Sequence, residues 1–252
     1  MKYPRTYHLV GSLGKDEPDR VELSELPGDR IVVEEKLDGS QASLRFEGPG
    51  QVIFQSRGTV LSGGPQEAEF ARLKSWTYTH IDALWSCLQQ HYTLFGEWLY
   101  AKHTVFYDAL PHYFFAFDVW DQEREHWLST PARRDLLQDT PVVSVPVLYE
   151  GTLQDLPELS SLLQPSLYKT PTWKDSLQKI ATQYSYPWER ASQETEDSLL
   201  PEGLYIKAET LDETVGWYKF IRPNFLRQIL DSQGHWRQRT ILPNQLQPGV
   251  EI

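Results

Sequence analysis

Cysteine occurs once in this 252-residue chain, at Cys87. No intramolecular disulfide can therefore form and no cysteine-rich zinc site can be built. Cys87 itself falls in a helix-like apolar pattern that suits a small core residue. Runs of about eighteen apolar residues, the length a membrane-spanning helix needs, are also missing, and the first ten residues carry no apolar stretch of the kind that directs export. A cytoplasmic protein without membrane association is the expectation. Basic residues are outnumbered, 24 Lys and Arg against 35 Asp and Glu, and the net charge of -11 argues against a protein that coats nucleic acid unspecifically. An enzyme with a local basic groove remains open, because charge focused in a cleft matters more than the sum. Neither internal repeats nor low-complexity tracts interrupt the chain.

What is present reads as globular. Hydrophobic residues at 40% and charged residues at 23% allow a sizeable core in one large domain or two small ones. Aromatic residues reach 13%, with nine Trp and thirteen Tyr, and most of these rings belong in that core rather than against nucleobases.

In chain order, the leader Lys2-Tyr3-Pro4-Arg5-Thr6-Tyr7-His8-Leu9 reads as an extended segment lying over the domain, followed by a polar, turn-rich stretch to Gly28. Residues 31–36, rich in β-branched side chains, predict a strand ending at Lys36. Residues 41–46 and 51–55 predict two more strands joined by the turn Glu47-Gly48-Pro49-Gly50. Gly63-Gly64-Pro65 opens a helical region, within which Ile81, Leu84, Trp85 and Leu88 predict an amphipathic helix of three to four turns packed on a sheet. Strands are expected over 93–99 and 113–120, the second buried on both faces, then a helix from Thr130-Pro131 and a strand over 142–149. Residues 151–200 are broken by Pro157, Pro165, Pro171 and Pro187 and predict a peripheral helical insertion whose acidic end, Glu194-Thr195-Glu196-Asp197, is a solvated surface. Two closing strands, 203–208 and 216–221, precede Arg222-Pro223. The expectation is an α+β fold of mainly antiparallel sheets flanked by helices, one domain over residues 1–230 and a C-terminal tail over 231–252.

Polar residues recur at the ends of the apolar strands: Lys36 and Asp38, Arg57, Glu97, Glu202 and Lys207, then Lys219. Each alone reads as a surface charge, and Asp38-Gly39 alone reads as a hairpin turn. Together, a nucleophilic lysine, two carboxylates and several further cations are what nucleotide transfer through a phosphoramidate requires.

The series resembles the ordered motifs of the covalent nucleotidyltransferase superfamily, which contains ATP-dependent DNA and RNA ligases and mRNA capping enzymes. Lys36-Leu37-Asp38-Gly39 is similar to the nucleophile motif, Ser56-Arg57-Gly58 to the arginine motif, and Gly96-Glu97-Trp98 to the glutamate motif. Phe115-Ala116-Phe117-Asp118-Val119 resembles the purine-stacking motif, Glu202-Gly203-Leu204-Tyr205-Ile206-Lys207 the next acidic motif, and Trp217-Tyr218-Lys219-Phe220 the final lysine motif. The runs Glu97-Trp98-Leu99-Tyr100-Ala101-Lys102-His103 and Tyr107-Asp108-Ala109-Leu110-Pro111, with the leader, are most similar to the ATP-dependent RNA ligases.

That resemblance implies an ATP-grasp-like nucleotidyltransferase domain, here without an appended OB domain. It implies that Lys36 takes AMP from ATP, that the AMP passes to an RNA 5'-phosphate, and that a 3'-hydroxyl displaces it to seal the strand. Asp38 and Lys219 would share the catalytic role. Glu35, Arg57, Glu97, Phe117, Lys207 and Arg222 would contact nucleotide, and Glu202 would bind Mg²⁺ or Mn²⁺. Lys102, His103, Arg5 and His8 are candidate contacts to substrate phosphate. Lys36 would need its pKa lowered, by Lys207, Lys219 and the metal. Two departures stand out: Ile221 occupies the position of a second lysine in the last motif, with Arg222 one further on, and only a short tail follows Phe225. The role of an accessory domain would then fall to residues 151–200 or to a partner protein. DNA sealing, GTP-dependent capping and a catalytically lapsed RNA-binding module are the alternatives.

Overall fold

The computed structural model describes residues 1–12, 20–153, 155–222, 224–225 and 240–252. Parts of the sequence reading that fall on residues 13–19, on Pro223 or on 226–239 lie outside the described residues. The strands are Tyr7–Leu9 (β1), Arg20–Val21 (β2), Arg30–Lys36 (β3), Ser40–Gly48 (β4), Gln51–Ser56 (β5), Thr59–Val60 (β6), Tyr92–Trp98 (β7), Phe114–Asp121 (β8), His126–Trp127 (β9), Val143–Ser144 (β10), Val147–Gly151 (β11), Gly203–Glu209 (β12) and Thr214–Ile221 (β13). The helices are Ala71–Thr79 (α1), Ile81–Leu88 (α2), Thr130–Leu137 (α3), Leu156–Ser161 (α4), Trp173–Gln183 (α5) and Trp188–Gln193 (α6).

Two sheets result, mainly antiparallel, as an α+β fold predicts. The first runs β11-β3-β12-β13-β1-β2 and the second β10-β8-β7-β4-β5-β6, with β9 on β8. Strand alternation divides the first sheet into unlike faces. Ile31, Val33, Leu204, Ile206, Tyr218 and Phe220 bury one face with Leu9 and Leu159. On the other, Glu34 stands opposite Tyr205, Lys36 opposite Gly203, and Tyr205 opposite Lys219. The second sheet packs Leu44, Phe46, Leu94 and Trp98 against Leu73, Trp76, Leu84 and Leu88 of α1 and α2.

Between the sheets lies a buried charge cluster. Arg133 of α3 donates to Glu34 at 2.8 Å, and Lys207 lies 3.1 Å from the same oxygen and 3.2 Å from Asp118. Its lysine was expected to hold nucleotide phosphate. Lys207 is fully buried on the same face as Tyr205, farther along β12 and opposite Val32, where its ammonium is committed to this cluster.

Several other expectations are corrected. The leader does not lie over the domain: it contributes β1, hydrogen-bonded parallel to β13 between that strand and β2. The predicted strand over 142–149 is two, because the segment passes between sheets: β10 pairs with β8, and β11 with β3, on either side of Val145-Pro146. The helix built on Ile81 stops at Leu88, after about two turns, where Gln89 adopts φ 43°. The acidic end of residues 151–200 is mostly buried, since Glu194, Thr195 and Glu196 are each under 8% exposed. Arg222 lies 3.0 Å from Glu196 and donates to the Pro201 carbonyl at 2.6 Å, so it secures that segment. The insertion shares a core with residues outside it, as Phe106 and Leu242 join Trp173, Leu177, Ile180 and Ala191.

Glu35 alternates with Lys36 on β3 and is buried, yet it remains among the residues that line the cleft over Lys36. There it accepts the Ser166 hydroxyl at 2.6 Å, and burial, opposed by that bond and one from the Leu167 backbone, pushes its carboxyl up to about 7.

Two measurements follow from this packing. Arg133→Met leaves Glu34 and the Phe117 carbonyl short of a buried cation, so urea unfolding should show a loss of about 3–5 kcal/mol, the usual cost of removing one partner from a buried pair. Because native Glu35 keeps its proton to about 7 whereas the unfolded chain loses it near the ordinary 4.5, stability should fall as pH rises through that window. Thermal melts of Glu35→Gln should show a shallower fall.

Candidate functional site

Lys36 ends β3, and the three residues after it, Leu37, Asp38 and Gly39, carry the chain from the first sheet to β4 of the second. Asp38-Gly39 is therefore a crossover between sheets rather than the turn of a hairpin. Asp38 holds that crossover: its Oδ2 accepts the backbone N–H groups of Thr104 and Val105, both at 2.7 Å, and its own N–H donates to Tyr107 Oη at 3.0 Å. Gly39 is required by close approach, since a Cβ there would stand 2.6 Å from the Trp98 carbonyl oxygen. Its N–H donates to Glu97 Oε1 at 3.1 Å.

The Lys36 ammonium donates to Glu202 Oε2 at 2.8 Å. Burial favours the neutral amine, but Glu202, Glu97 and Asp38 outweigh it and hold Lys36 above the ordinary lysine range. This reverses the expected electrostatics. Lys207 is committed to Glu34 and Asp118, so the nearest charges to Lys36 are carboxylates. They are strained in turn: burial, with Glu202 and Asp38 beside it, pushes Glu97 up to about 8 despite Lys36, and Glu202 is raised by burial against the pull of Lys36 and Lys219.

A cleft of about 360 Å³ opens over Lys36, lined from the first sheet by Glu34, Lys36, Tyr205 and Lys219 and from the second by Gln41, Glu97 and Phe117. Phe117 enters it because β8 carries a bulge. Asp118 pairs with Phe95 and Ala116 with Gly96, which leaves Phe117 as the extra residue, turned into the cleft. Its carbonyl, freed from the ladder, accepts Lys207 at 2.7 Å and also Arg133. Arg57 lines the mouth on the tight turn after β5, in a left-handed conformation with φ 49°.

The structure thus brings Lys36, Glu97, Phe117, Lys219, Arg57 and Glu202 to one place and sets others aside. Lys102 donates to the carbonyls of His103 and Glu194, at 3.0 and 2.9 Å, and lies outside the cleft lining. His103 is buried, 3.8 Å from Asp38 Oδ1 and 3.4 Å from Ser40 Oγ. His8 is buried on β1 with Nδ1 2.9 Å from Ser12 Oγ, and the exposed Arg5 lies over the Tyr7 ring. None of the four lines the cleft over Lys36. Sequence reasoning missed Tyr3 and Thr6, which also line the cleft; the signal was weak, a tyrosine after a lysine in an extended leader.

Among the described residues, no group of three or more His, Cys, Asp or Glu is arranged to hold a metal ion. The donor set still fits Mg²⁺ or Mn²⁺. Glu202 and Glu97 are hard oxygen donors held in excess of nearby cations, and Mg²⁺ commonly takes one or two carboxylates with the rest from phosphate and water.

Comparison with known proteins gives a consistent placement. A solved RNA ligase variant from Naegleria gruberi with ATP and Mn aligns at a TM-score of 0.52 and 16% identity, over 90% of this chain and 61% of that one. The same organism's ligase with PPi gives 0.51 and 17%, and a variant with AMP and Mn gives 0.52 and 17%, each over 90% of this chain and 62% of that one. At such identity the likeness establishes the fold, and the chain spans about three fifths of those chains' length. No curated protein matches it. The family model described as RNA ligase matches residues 29–221, from the strand that ends at Lys36 through the strand that carries Lys219, and the chain belongs to the RNA ligase family.

Proposed function

We propose that the protein is an ATP-dependent RNA ligase that works through a lysyl-AMP intermediate on Lys36. The observation that carries this reading is the placement of one lysine, at a strand end, between Glu202 and Glu97 on the floor of a cleft that Phe117 enters from above. A binding module would need no amine there. The Naegleria gruberi ligase, solved with ATP and Mn, with AMP and Mn, and with PPi, lends the substrate set to this proposal.

Phe117 would lie against the purine, Glu97 would accept the ribose hydroxyls, and Arg57 would meet phosphate at the mouth. In the ligand-free site Lys36 is held as an ammonium by Glu202. The nucleotide must draw that pair apart, so that Lys36 can lose a proton and its amine can attack the α-phosphorus. The new P–N bond replaces the P–O bond to pyrophosphate, which leaves. Mg²⁺ or Mn²⁺ at Glu202 would supply positive charge to the phosphate oxygens. Lys219, beside Glu202 in the same cleft, supplies a cation already in place for the charge that develops. An RNA 5'-phosphate oxygen then displaces Lys36 from AMP, and a 3'-hydroxyl expels AMP as the strand is sealed.

Asp38 acts in this scheme by holding the crossover, and its side chain is fully engaged with backbone N–H groups on one oxygen. Lys207, Arg222, Lys102 and His103 are structural.

Incubation with labelled ATP should give a covalent adduct that Lys36→Ala abolishes; no adduct, or one undiminished in the variant, rejects the mechanism. Adducts with GTP instead would point to capping chemistry, and preference for a nicked DNA duplex over nicked RNA would point to DNA sealing. Lys219→Ala should slow adduct formation by about 100-fold or more, as loss of a preorganised electrostatic contact does. Arg222→Lys should leave the single-turnover rate within about threefold and lower thermal stability instead.

A further inference from the structure

The leader does more than add a strand. Tyr3 lies on the cleft wall with Thr6, and its ring is enclosed by aromatic neighbours: Phe117 edge-on at 5.3 Å, Phe95 at 5.2 Å, Trp127 at 5.1 Å and Trp217 at 6.2 Å. Its hydroxyl donates to Asp118 Oδ2 and lies 2.8 Å from Tyr205 Oη. Both partners matter for position. Asp118 follows Phe117 in the bulge and is itself held by Trp217 Nε1 at 3.0 Å and by Lys207, so Tyr3 is tied to the residue that sets the bulge. Tyr205 faces Phe117 across the cleft, with ring centroids 6.2 Å apart, and its hydroxyl is also bonded by Thr6.

A bulged phenylalanine has no ladder partner to fix it, and a lone aromatic side chain at a cleft edge would sample more than one rotamer. The T-shaped contact from Tyr3 removes that freedom. We propose that Tyr3 is a positioning residue for the nucleobase slot: the leader forms one wall of the slot, and Tyr3 fixes the Phe117 ring in the pose that receives a purine. This rests on the reading of the cleft as an ATP site. The contribution is to base binding and not to chemistry at phosphorus, since Tyr3 contacts neither Lys36, Glu202 nor Lys219 in the described interactions.

The test compares the full-length protein with Tyr3→Leu and Tyr3→Phe. KM for ATP and the saturating rate of adduct formation are measured, together with the inhibition constants of AMP, which carries the base, and of inorganic pyrophosphate, which does not. Tyr3→Leu should raise KM for ATP and weaken AMP about tenfold, the scale of one or two lost aromatic pairs. The saturating rate and pyrophosphate inhibition should stay within about threefold in both variants, and Tyr3→Phe, which keeps the ring but loses the bonds to Asp118 and Tyr205, should weaken AMP less than Tyr3→Leu does. Unchanged AMP inhibition in Tyr3→Leu, or pyrophosphate weakened in step with AMP, overturns the proposal. Should the leucine variant not fold, Tyr3→Met, close in volume and lacking the ring, is judged by the same two criteria. Absence of an ATP adduct in the wild-type protein would reject the ligase reading instead, and AMP binding measured by calorimetry on the same variants would still decide the role of Tyr3.

Discussion

The cluster of Glu34, Asp118, Arg133 and Lys207 is the constraint on which the rest of the structure depends. Two carboxylates and two cations are buried together between the sheets, where each alone would carry a heavy desolvation cost. They come from β3, β8, α3 and β12, so neither sheet can shift against the other without separating charges in a medium that screens them poorly. The cluster also disposes of a backbone group: the Phe117 carbonyl, which the bulge takes out of the ladder, is satisfied by Arg133 and Lys207. The same interaction that joins the sheets thereby permits the irregularity that aims Phe117 into the cleft. A hydrophobic replacement of the whole cluster could match it in stability, but it would leave that carbonyl without donors.

Lys36 sits in a different electrostatic setting, a few residues along the same strand. Here carboxylates outnumber cations, and the ligand-free site resolves the imbalance by keeping Lys36 charged and raising Glu97 and Glu202. Such a site favours the arrival of positive charge. A nucleotide bound with a divalent cation changes the balance in one step, whereas a nucleotide alone would add negative charge to a floor already rich in it. The chain's overall charge of -11 has the same sign, so local and overall charge both favour positive charge at this site.

The charged series was legible in the sequence because each member interrupts an apolar pattern in or beside a strand. Lys36, Glu97, Glu202 and Lys219 were found that way, and the structure places them together. Lys207 has the same local signature, but pairing register puts it opposite Val32, farther from the strand's open end than Tyr205, and register is not written in a single strand. Arg222 is a related case. Its partner Glu196 lies in a stretch whose acidic composition reads as solvated, and only the fold shows that the stretch is buried and ion-paired. The C-terminal residues carried no signal at all, yet Asn244 accepts the Tyr107 N–H at 2.9 Å and donates to the Leu99 carbonyl at 2.7 Å, which binds the last described segment to the loop beside Asp38. An asparagine in a polar tail gives no warning of such a role.

These remote contacts converge on one short piece of chain. Thr104 and Val105 donate to Asp38, which sets the crossover after Lys36. The Thr104 carbonyl in turn accepts the N–H of Glu196, and Lys102 reaches the Glu194 carbonyl, so the segment that holds Asp38 is itself held by the insertion. Leu242 and Asn244 brace the same segment from the other side. Lys36 is thus positioned by residues from well outside its own strand, and its geometry depends on distant parts of the chain. That arrangement has a physical reason. A crossover between two sheets has no ladder of its own, and its backbone groups must be satisfied by whatever segments pack against it. In this protein those segments are β7 and the loop at 104–107, and the loop is held in turn by the insertion and the C-terminal residues, which for that reason cannot be regarded as peripheral to the site.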